Sequence, residues 1–211
     1  MFKGREVFET HYMEYCRQIG RADLVSAADI LGGEYREGLL YLRFLDREFS
    51  ISGAGILDAS GIQPDYILCV ILARYLLACP ERIHHDPEWV TFKDFKRNAQ
   101  FTNVNYFTSD TEQKILNVFS GRGEMLLKAC EDLGGRHHDL GIPYDVSMAV
   151  EVLPRIPLLL LYNDEDDEFP AQCRVLFPKH GEFYLDPESL AMLAAGFAAR
   201  LAKANKGALG N

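Results

Sequence analysis

The fold is decided by Leu153–Phe177, which has the sequence LPRIPLLLLYNDEDDEFPAQCRVLF. Five consecutive apolar residues, Pro157 to Leu161, are followed after a short gap by five consecutive acids, Asp164 to Glu168, and the chain returns to an apolar run at Val175–Phe177. A short apolar run bounded by polar residues is typical of a buried strand. The stretch therefore predicts a buried strand, an exposed acidic loop and a returning strand.

The segments on either side predict helices and strands in an irregular order. Alternating apolar residues over Val146–Val152 predict a half-buried strand. The nearly continuous apolar segment 65–78 predicts a buried central helix, and 187–204 a C-terminal helix with one apolar face. Further predictions are two N-terminal helices, 5–19 and 22–31, a hairpin within 39–51, a short aromatic-faced helix at 91–96, a helix that begins at a capping box over Ser109–Glu112, and another helix over 124–133.

Because strands and helices do not alternate regularly, the sequence predicts an α+β fold. We expect an antiparallel or mixed sheet packed against several helices. Residues 1–205 would form a single domain, with helices and a hairpin in 1–60 and the remainder in 61–205, and 206–211 would be a disordered tail.

Composition and charge limit the classes of partner and compartment. The net charge is −9, which disfavours nucleic acid. No apolar segment is long enough for a membrane span, and the N-terminus has no signal core, so a cytoplasmic protein is expected. Five cysteines without a C-x-x-C pair fit a reducing compartment. Cys173 follows the acidic loop and is expected to be partly exposed, and a reactive thiol there would require a lowered pKa.

The histidines suggest a metal site, although no familiar catalytic motif is present. Four of the six histidines lie in two copies of one tripeptide, His84-His85-Asp86 and His137-His138-Asp139. Imidazoles beside carboxylates are ligands for zinc or non-haem iron, so a divalent metal is one prediction. Two separate, solvated polar loops are the alternative.

Charged residues near the central stretch are candidates for binding a ligand or partner. The run Asp164, Glu165, Asp166, Asp167 and Glu168 suits a hard cation, a basic partner, or simply a soluble hairpin tip. Arg155 suits an anionic ligand, or neighbouring carbonyl and carboxylate groups. Arg122, beside Ser120 in a glycine-flanked turn, suits an anion at a helix start or a plain break between helices.

Ordered pieces between residues 60 and 205 resemble a bacterial and archaeal family catalogued as domain of unknown function 3786. The resemblance supplies no catalytic residue, since the family has no settled activity. Some members carry cysteine-rich iron–sulfur or corrinoid-related segments, which this chain lacks. The matching pieces are Glu88–Phe92, Phe119–Arg122, Gly134-Gly135, Asp145–Ser147, Leu153–Pro157, Asn163–Pro170, Val175–Phe177 and Tyr184-Leu185.

Together these observations predict a non-catalytic accessory or binding protein for an unidentified protein partner or small ligand. The 164–168 loop, the strand mouth at Arg155 or the surface near Trp89 would make the contact. The alternative is a metal-dependent enzyme that uses the two histidine loops. A homo-oligomer that associates through an apolar surface is a third hypothesis.

Overall fold

The computed structural model describes residues 3–98 and 107–208, and over these ranges the chain forms six α-helices and nine strands. The α+β prediction is confirmed, with two antiparallel sheets in place of one. The helices are α1 (Lys3–Ile19), α2 (Leu24–Leu31), α3 (Tyr66–Leu77), α4 (Gln113–Phe119), α5 (Gly123–Asp132) and α6 (Pro187–Ala208). The strands are β1 (Glu34–Arg36), β2 (Leu39–Phe44), β3 (Arg47–Ser52), β4 (Gly55–Asp58), β5 (Trp89–Thr91), β6 (Arg136–His137), β7 (Val146–Leu153), β8 (Ile156–Asn163) and β9 (Gln172–Pro178).

The first sheet is a meander in the order β1-β2-β3-β4, so every strand pairs with its neighbour in sequence. The hairpin prediction corresponds to its two central strands, which bury Leu40, Leu42 and Phe49. The flanking strands are only three and four residues long, and β1 is exposed throughout. Segments of three and four residues are too short for a periodic signal, so the sequence did not reveal them.

The second sheet has the order β5-β9-β8-β7-β6 and contains the three strands predicted from the central stretch and its neighbour. Its central strand β8 is buried at six of eight positions, as expected for a strand covered on both faces. Trp89 on one edge strand donates its indole N–H to Nε2 of His138, just past the opposite edge strand, at 3.1 Å. This contact brings the two edges together, so the sheet is strongly curled.

The central helix α3 and the C-terminal helix α6 pack against each other. The central helix α3 is buried on nearly all sides, and Asp65 caps it by accepting from the N–H of Leu68 at 3.0 Å. Asp186 caps α6 through the N–H of Ser189 at 2.9 Å and pairs with Arg74 of α3 at 2.6 Å. The described helix α6 reaches Ala208, past its predicted end at 204. The rest of the predicted tail, 209–211, lies outside the described residues.

The capping-box prediction at Ser109–Glu112 was wrong. Phe107 already has helical φ and ψ, so Ser109 lies inside a π-helical turn (Thr108–Glu112) that leads into α4 and cannot be a non-helical cap. Glu112 instead accepts from the buried N–H of Val175 on β9 at 3.1 Å. Burial raises the pKa of this carboxyl group, although the hydrogen bond from Val175 acts to lower it.

Among the described helices, none is long and apolar enough to cross a membrane.

Candidate functional site

The first acid of the 164–168 run is a structural cap. Asp164 Oδ1 accepts from the N–H of Gly121 at 2.7 Å and from the hydroxyl of Tyr162 at 2.7 Å, and Oδ2 accepts from the N–H of Gly123 at 2.8 Å. These amides lie at the start of α5, where helical donors have no partner within the helix and a negative charge is favourable. The acidic run and the glycine-flanked turn, about forty residues apart, therefore form one unit, which we term the Asp164 clamp.

Backbone geometry and protonation both fit the clamp. Gly121 has φ +68°, and a Cβ there would lie 3.0 Å from Oε1 of Glu165. Glu165 also accepts from the hydroxyl of Ser120 at 2.8 Å. Burial alone would raise the pKa of Asp164, but hydrogen bonds from Tyr162 and from backbone N–H groups outweigh burial and lower it.

The rest of the acidic run differs from its first two residues. Asp166 accepts from the N–H groups of Glu168 and Phe169, so it closes its own turn. The side chains of Asp167 and Glu168 are exposed at the tip, and the ring of Phe169 is 61% exposed. Of the acidic run, only the exposed tip at Asp167 and Glu168 remains available for contact with a partner.

Arg155 ties down carbonyl groups. Its Nε donates to Ile30 O and its Nη2 to Asp29 O, both at 3.0 Å, near the C-terminus of α2. Its backbone N–H donates to the hydroxyl of Tyr75, which itself donates to Leu31 O at 2.9 Å. The guanidinium thus joins the β7–β8 turn to the N-terminal helices. This matches the prediction that Arg155 bonds to neighbouring carbonyl groups.

The sequence did not reveal His180, a buried residue that joins three segments. Its Nε2 lies 3.0 Å from Arg155 O, and its Nδ1 lies 3.0 Å from the N–H of Asp86. These distances fit an imidazole whose Nε2–H donates to Arg155 and whose Nδ1 accepts from Asp86. An isolated histidine among polar neighbours carries no local signal for such a role.

The loop containing His84 and His85 packs against the segment around His180. The ring of His84 stacks on Phe183 with centroids 4.0 Å apart, and its backbone N–H and carbonyl both bond to the hydroxyl of Tyr184. The ring of His85 is exposed, with its centroid 5.6 Å from that of His180. Asp86 contributes its backbone N–H to His180.

The second histidine loop reaches the same edge of the molecule through the Trp89–His138 bond described above. His137 is exposed on β6, and Asp139 accepts from the N–H of Gly141 at 2.7 Å within its own loop. Over the described ranges, no group of three or more His, Cys, Asp or Glu side chains is placed to hold a metal ion. Arg122 is exposed at the N-cap position of α5, without a capping bond from its side chain.

The buried cysteines are poorly suited to nucleophilic chemistry. Burial raises the pKa of the Cys130 thiol to about 12, and it also raises that of Cys173, with a further contribution from the charge of Glu112. A thiol that stays protonated is a weak nucleophile. The expectation that Cys173 is partly exposed was wrong, because it faces the core from β9.

A groove runs along α6, and we term it the α6 groove. Its main lobe has a volume of about 990 Å³, and a second lobe of about 130 Å³ continues from it, sharing Asp65, Ile67, Gly196 and Ala199. The floor is a half-buried face of α6, and Ala195 and Ala199 on it lie outside the packed core. The main lobe is lined by Asp65, Ile67, Phe107, Ser109, Asp110, Lys114, Asn117, Glu188, Ala191, Met192, Ala195, Gly196 and Ala199.

The groove was not predicted from the sequence, although part of its signal was present. Ala191, Ala195 and Ala199 recur every fourth residue, which puts them on one face of α6 beside the apolar stripe that enters the core. Small residues on a second face leave room for another element. The opposite walls, around Ile67 and Lys114, come from distant parts of the chain and cannot be assigned from spacing.

Comparison with known proteins gives one match. The family model described as Domain of unknown function (DUF3786) matches residues 23–200, and the chain belongs to this family. No curated protein matches the chain significantly, and no solved structure does either.

Proposed function

We propose that this member of the DUF3786 family is a binding protein that holds a partner segment or a small ligand in the α6 groove. The observation that carries the proposal is the main lobe, since about 990 Å³ lined by apolar floor residues and a few charges has the size and character of ligand sites. We further propose a cytoplasmic location, which the five unpaired cysteines support.

The other predicted binding residues already form hydrogen bonds within the chain, which favours the α6 groove as the binding site. Asp164 accepts from a backbone amide, Glu165 accepts from a hydroxyl, and Arg155 donates to a backbone carbonyl, so all three already bond within the chain. Trp89 uses its indole N–H on His138. In contrast, Ile67 is 54% exposed at the groove wall, and Ala195 offers a half-buried surface without core contacts.

We expect the dye 8-anilinonaphthalene-1-sulfonate to bind the groove of the folded protein and to gain fluorescence there. Ala195→Phe should reduce that gain at least about 5-fold, because the new ring occupies the apolar floor. A fluorescence titration under native conditions measures the effect, with circular dichroism to verify the fold.

Ala202→Phe is the matched control, because Ala202 lies half-buried on the same helix but outside both the groove and the packed core. It should leave the titration unchanged. If Ala195→Phe is folded and binds the dye as well as the wild type does, the groove is not the binding site.

A metal-dependent enzyme is the second candidate function. The Trp89–His138 bond favours it, because it brings the two histidine loops to one edge of the molecule. A metal would require the exposed rings of His85 and His137 to turn toward His138.

Native mass spectrometry tests this candidate on protein purified without oxygen or chelators. The expected result is excess mass that is lost on acid denaturation, with a metal identified by elemental analysis and lost in His138→Ala. A mass equal to that of the bare chain, before and after incubation with Zn²⁺ or Fe²⁺, contradicts it.

A further inference from the structure

We infer that the ligand of the α6 groove is a small organic cation, which is an apolar molecule that carries one positively charged nitrogen. This inference rests on the proposed function and names the chemical class of the ligand. The size of the main lobe, its apolar floor and the charges of its lining carry it together.

The main lobe suits a small molecule with an apolar body. Its volume of about 990 Å³ lies within the range of small-ligand sites. Ala195 and Ala199 on its floor are half-buried and lie outside the packed core, and Ile67 and Met192 add further apolar surface. These side chains offer no hydrogen bonds, so the polar part of a ligand must meet the charged residues of the lining.

Carboxylates predominate among the described residues that line the main lobe. Asp65, Asp110 and Glu188 are acidic, and Lys114 is the one cation among those lining residues. Within the described parts of the chain, none of these three carboxylates belongs to an ion pair. A ligand cation in this lobe would therefore meet carboxylates whose charge is not already neutralised by a neighbouring side chain.

The ends of two helices reduce this excess of negative charge without cancelling it. Asp65 caps α3, and Glu188 lies in the first turn of α6. Each helix N-terminus offsets about half an elementary charge. Three carboxylates and one ammonium give the lining a formal charge of −2, and the two helix ends return about +1, so about one negative charge remains. A single positive charge on the ligand matches it.

The cations of the second lobe do not reverse the charge of the main lobe. Arg47 pairs with Asp58 at 3.1 Å, and Arg200 pairs with Asp46. Lys203 is the remaining cation among the described residues of the second lobe, and it does not line the main lobe. The carboxylates of the main lobe therefore set the sign of the ligand charge that is favoured there.

The probe for this inference is the cationic dye thioflavin T, and its control is the uncharged analogue that lacks the N-methyl group of the benzothiazolium ring. The two dyes have nearly the same shape, so the ratio of their affinities reports the contribution of charge. Fluorescence titrations at low salt should show thioflavin T binding about 5-fold more tightly than the analogue. Ala195→Phe should abolish binding of both dyes, and Ala202→Phe should retain it.

Removal of two carboxylates tests the assignment of this charge preference to the groove. Asp65→Asn keeps a good N-cap residue for α3, and Glu188→Gln replaces an exposed side chain, so the fold should persist in the double variant. The double variant should lower the affinity for thioflavin T about 5-fold and leave the affinity for the analogue unchanged.

The matched control is the double variant Asp167→Asn, Glu168→Gln, which loses the same two charges at the hairpin tip, outside the groove. It should leave both affinities unchanged. The inference is overturned if the two dyes bind the wild type equally well, if neither dye binds, or if the two double variants weaken thioflavin T to the same extent.

The titration with 8-anilinonaphthalene-1-sulfonate separates failure of the inference from failure of the proposed function. If Ala195→Phe blocks this anionic dye and thioflavin T has no advantage over its analogue, the groove is a ligand site without a preference for cations, and only the inference fails. If none of the three dyes binds, both fail.

Discussion

Asp164→Ala is expected to lower the free energy of unfolding by about 3 kcal/mol. The change removes the acceptor for two amides at the start of α5 and for the hydroxyl of Tyr162, whose side chain is fully buried. The two amides lose a charged acceptor, whose hydrogen bonds are stronger than those of a neutral one, and the hydroxyl of Tyr162 keeps only the carbonyl of Phe119. Urea unfolding monitored by circular dichroism measures the difference.

The control for this prediction lies three residues away. Asp167 belongs to the same acidic run but is exposed at the tip. Asp167→Ala should therefore change the free energy of unfolding by no more than about 0.5 kcal/mol. Equal effects of the two changes would show that the clamp does not stabilise the fold.

The contribution of Asp164 should also depend on pH, in a direction set by its lowered pKa. A carboxyl group that binds its proton less readily in the folded state stabilises the fold at neutral pH. That contribution is full well above the ordinary value of 3.8 and is lost as the pH falls through the folded pKa. The stability difference between the wild type and Asp164→Ala should therefore shrink below about pH 4. A difference that stays constant from pH 7 to pH 3 would contradict the assignment.

His180→Phe is expected to cost about 3 kcal/mol and to lower the Tm by about 6 to 9 °C in a protein of this size. Phenylalanine keeps an aromatic ring but offers no partner to the carbonyl of Arg155 or the N–H of Asp86. The carbonyl then lies beside a ring that cannot donate, in a region closed to solvent. Calorimetry measures the shift.

His85→Phe is the matched control, because the ring of His85 is exposed and lies next to the buried ring of His180. Its Tm should stay within about 1 °C of the wild type. If His180→Phe is as stable as His85→Phe, the buried imidazole fills space without joining the segments.

Local pattern was enough to predict the parts of the fold that are decided locally. The run of leucines in β8 and the nearly continuous apolar segment of α3 identify buried elements by composition alone. The hairpin was visible because polar residues at Asp46 and Arg47 separate two apolar segments. In each case the residues that decide the structure are close together in sequence.

The pairings that decide the role of each charged residue are distant, and the sequence could not supply them. Nothing near Asp164 shows that its partners are the amides of Gly121 and Gly123. Arg155 meets carbonyls near residue 30, more than a hundred positions earlier. A charged residue in a motif has the same local appearance whether it binds a ligand or another part of its own chain.

The strand order of the second sheet has a consequence for synthesis on the ribosome. The meander β1 to β4 pairs only neighbours, so it can form once residue 58 has left the exit tunnel. By contrast, Trp89 pairs with Pro178, and α3 packs against α6, so both wait for the last part of the chain. The earlier helices α1 and α2 can cover part of α3 at once, but the side that meets α6 stays uncovered while more than a hundred residues are added, an interval in which an apolar surface is prone to aggregate. That side of α3 is therefore the surface of the nascent chain that most needs protection until α6 has been made.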